Sequence, residues 1–248
     1  MTRDANIVLL PVGGDLDVRS VSRVRRTIDG MIASGCRRII LNLADTSFVD
    51  SAGMALILLE VRKMRSVGGL LSLMNVPDRV MRSLKMSRLV DYIPVSGGSA
   101  RPKVHELDPS VRPLWRTSVP VDGNDLGPAR SRVEELLGTM PLSRDDVFDM
   151  TLAVGEAMGN AVDHTDGCGV LATVIAYPDR AIVEVTDCGD GFRLGPDEEP
   201  VSSCGEERGR GIKLMRLLAD SVSIDVRSAG VGTVVRLVKL VPARHARA

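Results

Sequence analysis

Aromatic side chains are scarce in this sequence: three Phe, two Tyr and one Trp make up 2% of 248 residues. So few rings leave little on which unpaired bases could stack, which argues against a binder of single-stranded nucleic acid. An excess of either charge is also missing, since 32 Lys and Arg meet 32 Asp and Glu. A neutral chain lacks the basic footprint of a general nucleic-acid binder. The four cysteines, Cys36, Cys168, Cys188 and Cys204, form no C-x-x-C pair and have no neighbouring histidine ligands. That spacing argues against a zinc site and a disulfide scaffold, and fits a reducing cytosol. The first residues, Met1 to Asn6, carry no apolar signal core. No apolar run approaches the roughly 18 residues that cross a bilayer. The expectation is a soluble, cytoplasmic protein with no membrane segment.

What is present is 44% hydrophobic residues, ample for packed cores, over a length that suggests two domains. The first part alternates strands and helices. Ile7 to Val12 reads as a strand ended by Gly13-Gly14, and Asp17 to Ala33 as a helix. Arg38 to Leu43 and Leu70 to Val76 are further strands. Met54 to Ser66 is helical, and another helix opens at Pro77-Asp78. This alternation predicts a small α/β domain over residues 1–97. Between 98 and 110, Gly, Ser and Pro cluster and the hydrophobic period is lost, which marks a linker. A second α/β domain follows over 111–248. It opens with an edge strand limited by Pro113 and Pro120, then an amphipathic helix from Pro128 to Met140 and a long helix capped at Ser143. Strands Gly169 to Tyr177 and Arg180 to Thr186 flank a Pro178-Asp179 turn. A helix from Ile212 to Ala219 and a last strand from Val234 to Leu240 complete it.

Several short motifs carry chemistry. Glu156 and Asn160 stand four apart in Val154 to His164, so on a helix both project from one face. A carboxylate there can act as a base while the carboxamide oxygen ligates a metal. Asp187 ends a strand and is followed by Cys188-Gly189-Asp190-Gly191, a fixed acceptor beside backbone that a flat ring can approach closely. Gly209-Arg210-Gly211 stands directly before the predicted helix at Ile212, where free N–H groups could hold phosphate. Gly230-Val231-Gly232-Thr233 makes a turn into the last strand. None of this is a P-loop or a dinucleotide fingerprint, whose strings do not occur. In the first domain, Ser51 follows Asp50 at the start of a helix. It reads as an N-cap, and equally as a hydroxyl that could accept a phosphoryl group in a seat favourable to phosphate.

Residues 6 to 97 resemble the STAS domain of bacterial anti-anti-sigma factors. The likeness rests on Gly14-Asp15-Leu16-Asp17, on Ile39-Ile40-Leu41-Asn42-Leu43 and on Ser47-Phe48-Val49-Asp50-Ser51-Ala52-Gly53. It implies a small mixed sheet with helices, and phosphorylation of Ser51 by a cognate kinase. Ala52 departs from the commonest pattern, in which a second hydroxyl residue stands there. Taken in order, the motifs of residues 111 to 240 resemble the GHKL (Bergerat) ATP-binding α/β sandwich, in its anti-sigma serine-kinase branch. The resemblance implies Glu156 as general base and Asn160 as magnesium ligand. Asp187 would bond the adenine amino group, Gly189 and Gly191 would shape the pocket, Gly209 and Gly211 would close over the phosphates, and Thr233 would support the adenine side. His164 is expected in a structural or lid-contacting role.

The resemblance therefore implies two α/β domains using ATP and Mg2+ in a partner-switching regulator: a serine kinase and anti-sigma module fused to its phosphorylatable antagonist. A sigma factor of RNA polymerase, cognate STAS or kinase proteins, a serine phosphatase and a second copy of the chain are its expected partners. Direct nucleic-acid contact is not expected. The alternative is a non-catalytic protein for which ATP is only a conformational ligand, and retention of both Glu156 and Asn160 counts against it. A sensor histidine kinase would need a helix-borne histidine before residue 111. His105 is the one histidine there, and it lies among prolines.

Overall fold

The computed structural model describes residues 7–97, 104–108, 110–165, 169–195, 206–227 and 231–242. The chain divides into two compact units, Met1–Ala100 and Arg101–Ala248.

The first unit is built from β1 (Ile7–Pro11), α1 (Val21–Ala33), β2 (Arg38–Asn42), α2 (Ser51–Ser66), β3 (Leu70–Val76), α3 (Asp78–Met86) and β4 (Val95–Gly97), with a short 3-10 turn at Leu89–Asp91. Its four described strands lie in the order β1-β2-β3-β4 and run parallel. Parallel neighbours need crossovers, and the apolar stripes of the intervening helices supply them with cover. Val24 and Ile28 of α1 and Leu56, Ile57, Val61 and Met64 of α2 join Ile39, Leu41, Leu71 and Leu73 of the sheet in one core. β2 is buried almost throughout, as its unbroken apolar run requires.

Helix α2 begins three residues earlier than periodicity suggests. Its N-cap is Asp50, whose Oδ1 accepts the Gly53 N–H at 2.8 Å, so Ser51 is the first helical residue rather than the cap. Asp50 wins because its second oxygen is also engaged, by the Val18 N–H at 3.0 Å. A side chain at Gly53 would overlap the Leu16 carbonyl and crowd Val49. Only glycine lets the first turn of α2 approach Leu16 this closely.

The second unit contains β5 (Trp115–Val121), α4 (Gly127–Gly138), α5 (Arg144–Asp163), β6 (Val170–Ala176), β7 (Arg180–Thr186), α6 (Glu206–Leu218), β8 (Ser221–Val226) and β9 (Thr233–Leu240). The five strands form an antiparallel sheet in the order β5-β6-β7-β9-β8, with β5 on the edge as its prolines require. The three helices pack side by side on one face. β8 is absent from the sequence reading, although Val222 and Ile224 alternate with polar neighbours and are buried. Helix α6 begins at Glu206, so Gly209 and Gly211 lie within its first turns and not ahead of them.

Helix α5 is the central element. Ser143 Oγ accepts the Asp146 N–H at 3.0 Å, the expected cap, worth about 1 kcal/mol. Met150, Ala153, Val154, Ala157, Met158 and Ala161 form its buried stripe. Lys239 of β9 reaches across to Asp146 at 3.1 Å and to Asp220 at 3.6 Å, tying the sheet to the start of α5 and the end of α6.

Candidate functional site

A cleft of about 230 Å³ opens in the second unit between α5, α6, β8 and β9. One wall comes from α5 through Asn160, Ala161 and His164. Phe192, Ile212, Met215, Ile224 and Val235 add apolar surface, and Asp187, Gly189, Asp190, Gly191 and Thr233 line the inner end. Polar and apolar side chains thus share the lining, with the polar groups placed to orient a ligand that the apolar surface encloses.

Asp187 is 7% exposed and held from two directions. Its Oδ1 accepts the Gly189 N–H at 3.0 Å and the Thr233 N–H at 2.8 Å. The Asp187 N–H in turn donates to the Thr233 carbonyl at 3.0 Å. These bonds fix the carboxylate without using Oδ2, to which no hydrogen bond runs among the described residues. An oriented acceptor at the end of an apolar slot suits a flat ring bearing an amino group.

The glycines around it are required by close approach. A side chain at Gly189 would come within 2.6 Å of the His164 carbonyl. Gly232 takes φ +94°, and a Cβ there would overlap the Asp187 carbonyl. Gly232 was legible in the sequence only as a turn residue. Its contact with Asp187 depends on the pairing of β7 with β9, which no local pattern announces.

Glu156 and Asn160 are both half-buried on α5 and face the same stretch of α6. From the Cβ position of Gly211, Asn160 Nδ2 would be 3.3 Å away and Glu156 Oε2 3.5 Å away. Gly211 thus lets the helix backbone sit directly over the pair. The structure brings Asn160, Asp187, Gly189, Gly191 and Thr233 together around the cleft, with Glu156 one turn before Asn160. Gly209 lies on α6 in a stretch whose side chains are not described, and Gly230 lies outside the described residues.

No group of three or more His, Cys, Asp or Glu side chains that could hold a metal occurs among the described residues. A magnesium ion carried by nucleotide phosphates needs no such group, because it keeps several waters and takes one or two protein oxygens. The half-buried carboxamide of Asn160 beside a carboxylate fits that demand. Against the expectation from spacing, Cys188 is disulfide-bonded, while Cys36 is buried and free. No described helix is long and apolar enough to cross a membrane.

Ser51 belongs to the first unit, where it is exposed at the start of α2. The loop before it is rigid: Asp15 Oδ1 accepts from Ser47 N, Ser47 Oγ and Phe48 N at 2.8 to 2.9 Å. These bonds hold the Asp15 carboxyl below its usual pKa, with the Ser47 hydroxyl the first cause.

Fold and site together define a two-part protein, a parallel STAS-type α/β domain and an ATPase-type α/β sandwich with a cleft beside α5 and α6. Residues 1–106 match the STAS domain family, and residues 119–239 match the histidine kinase-like ATPase domain family. The chain belongs to both, as a fusion of an anti-sigma antagonist-type STAS domain with an anti-sigma serine-kinase-type ATPase domain. It is 31% identical over 88 residues to an anti-sigma-B factor antagonist of Staphylococcus aureus, covering 36% of this chain and 82% of the relative. It is 32% identical over 118 residues to the serine-protein kinase RsbW of Halalkalibacterium halodurans, covering 43% of this chain and 72% of that kinase. Among solved structures, the phosphorylated form of the Bacillus cell fate determinant SpoIIAA is 27% identical. That match covers 39% of this chain and 87% of SpoIIAA, with a TM-score of 0.32.

Proposed function

We propose that this chain is a cytoplasmic partner-switching regulator of a sigma factor, in which an ATP- and magnesium-dependent serine kinase is fused to its own phosphorylatable antagonist. The acceptor is Ser51, or the equivalent serine of a separate STAS protein. The supporting observation is that a clamped acceptor, Asp187, shares one cleft with Asn160, and that Glu156, one turn before Asn160 on α5, lies with it beside the Gly211 backbone.

In this reading Asp187 Oδ2 takes a hydrogen bond from the adenine amino group while Thr233 and Gly189 hold its other oxygen. Apolar side chains including Ile212, Met215 and Val235 enclose the base. Asn160 would hold the magnesium ion, which when bound would supply positive charge to offset that of the phosphates. Glu156 orients the serine hydroxyl and takes its proton as the Oγ–P bond forms and the bond from the γ-phosphorus to the bridging oxygen of ADP breaks. The product is phosphoserine and ADP. A phosphate on Ser51 adds about −1.5 to −2 charge beside Asp50, which alters what the exposed start of α2 can bind. A serine phosphatase would reset the switch.

The test is phosphate incorporation from labelled ATP with magnesium, mapped by mass spectrometry, in wild type, Ser51→Ala and Glu156→Ala. Label on Ser51 that disappears in both variants supports the reading. A wild type that binds ATP and labels neither Ser51 nor any STAS partner would overturn it.

A further inference from the structure

Cys188 stands inside the turn that clamps Asp187. Asp187 and Gly189, on either side of it, line the cleft, and Cys188 itself does not. The Asp187 carboxylate closes the turn around it by accepting the Gly189 N–H at 3.0 Å. Two further segments pack on this backbone. A Cβ at Gly232 would lie 2.8 Å from the Cys188 Cα, and a Cβ at Gly189 would lie 2.6 Å from the His164 carbonyl at the end of α5. A restraint on residue 188 is therefore a restraint on the acceptor and the glycine that face the cleft.

A covalent bond supplies such a restraint. Cys188 is disulfide-bonded, Cys36 is free, and the chain has four cysteines. The partner within the chain is thus Cys168 or Cys204, both outside the described residues. Because Cys188 does not line the cleft, the bond leaves the ligand's space open. It braces the turn and does not block it.

A tied turn meets its ligand already ordered, and pre-ordering raises affinity by removing a cost otherwise met on binding. In a compartment that keeps thiols reduced, a disulfide is a transient, sensing bond and not a permanent staple. We infer that the Cys188 disulfide is a redox switch on nucleotide affinity, closed for tight binding and opened by a dithiol reductant for weak binding. This rests on the reading of the cleft as a nucleotide site and adds its regulation. Opening is thiol–disulfide exchange. A thiolate of the reductant attacks one sulfur, the S–S bond breaks, and the other sulfur leaves as a thiolate from the mixed disulfide that forms. The second thiol of the reductant then displaces the first protein sulfur. The reductant ends as a disulfide, and Cys188 and its partner end as two thiols, having gained two electrons and two protons. A more oxidising disulfide closes the switch by the same exchange run backwards.

The test measures the affinity of the full-length chain for ATP with magnesium by calorimetry, first oxidised and then after reduction with dithiothreitol. Reduction should weaken binding about tenfold, the scale of re-ordering one or two groups on binding. Re-oxidation should restore it. Cys188→Ser cannot form the bond and should bind as reduced wild type does, in both conditions. Equal affinity of oxidised and reduced wild type overturns the inference, as does a Cys188→Ser chain that still responds to dithiothreitol. Peptide mapping without reductant should find Cys188 joined to Cys168 or Cys204 of its own chain. A free Cys188 thiol in the oxidised sample, or one joined to another chain, also overturns it. If neither form binds ATP, the nucleotide reading has failed and this inference fails with it.

Discussion

The carboxylate of Asp187 accepts the backbone N–H of Thr233 at 2.8 Å across 46 residues of sequence, joining the end of β7 to the start of β9. One oxygen is thereby committed to the fold and the other left to the cleft. Substitutions can separate these duties. Asp187→Asn can keep one acceptor for Thr233 and Gly189 while turning the other position into a donor. ATP affinity should fall by one to two orders of magnitude, the cost of about 1.5–3 kcal/mol for a hydrogen bond to a charged group, with thermal stability little changed. Asp187→Ala should lose both. Titration with a fluorescent ATP analogue alongside a melting curve measures the two effects.

Glu156→Gln keeps the size and hydrogen-bonding reach of the side chain and removes its ability to take a proton. Phosphoryl transfer should fall by about 10²- to 10⁴-fold, the usual contribution of a general base, with ATP binding unchanged. Asn160→Ala should instead weaken magnesium-dependent nucleotide binding. Single-turnover labelling at saturating ATP, with binding measured with and without magnesium, distinguishes the two variants.

Asp50 serves two backbone donors with two oxygens, Gly53 N–H and Val18 N–H. Asp50→Ala should destabilise the first unit by about 1–2 kcal/mol, the upper part of the range for a lost N-cap. Asp50→Asn, with a single acceptor oxygen, should fall between. Hydrogen exchange of the 47–55 and 15–20 peptides, read by mass spectrometry, should rise together if the two bonds form one unit.

Glu60 is 2% exposed between α2 and α1, where Oε1 is 3.9 Å from Arg25 Nε and Oε2 has no hydrogen-bond partner. Burial first, and then the nearby Asp29 carboxylate, raise its pKa, while Lys63 and Arg25 oppose the shift. With a raised folded value, the native state keeps a proton that the unfolded chain has released. Glu60 therefore lowers stability as pH rises from the ordinary glutamate pKa of about 4.3 through the raised folded value, above which the loss is constant. Glu60→Met should be more stable than wild type near neutral pH, and the advantage should vanish at lower pH. Urea-dependent hydrogen exchange of α1 and α2 peptides across pH 4 to 8 would check it.

Much of this was legible beforehand. The apolar runs of β2 and β7 and the stripe of α5 are dense enough that periodicity alone identifies them. Glu156 and Asn160 share a helix face by arithmetic. Three readings moved for physical reasons. Asp50 displaces Ser51 as cap because Val18, distant in sequence, engages its second oxygen. Helix α6 starts at Glu206 because its glycines are tolerated where they allow close approach to α5. The connection is partly docked because Val104 and Leu107 find an apolar patch made by three separate strands.

The sequence by itself determined the local units, where i to i+4 and i to i+2 spacing carry the information, and the residue types that fill the motifs. Tertiary structure alone decided which of these meet. Antiparallel pairing of β7 with β9 put Thr233 on Asp187, and the packing of α6 on α5 put Gly211 over Glu156 and Asn160. Contacts of that kind depend on register and packing between segments far apart in the chain, and no local window contains both partners.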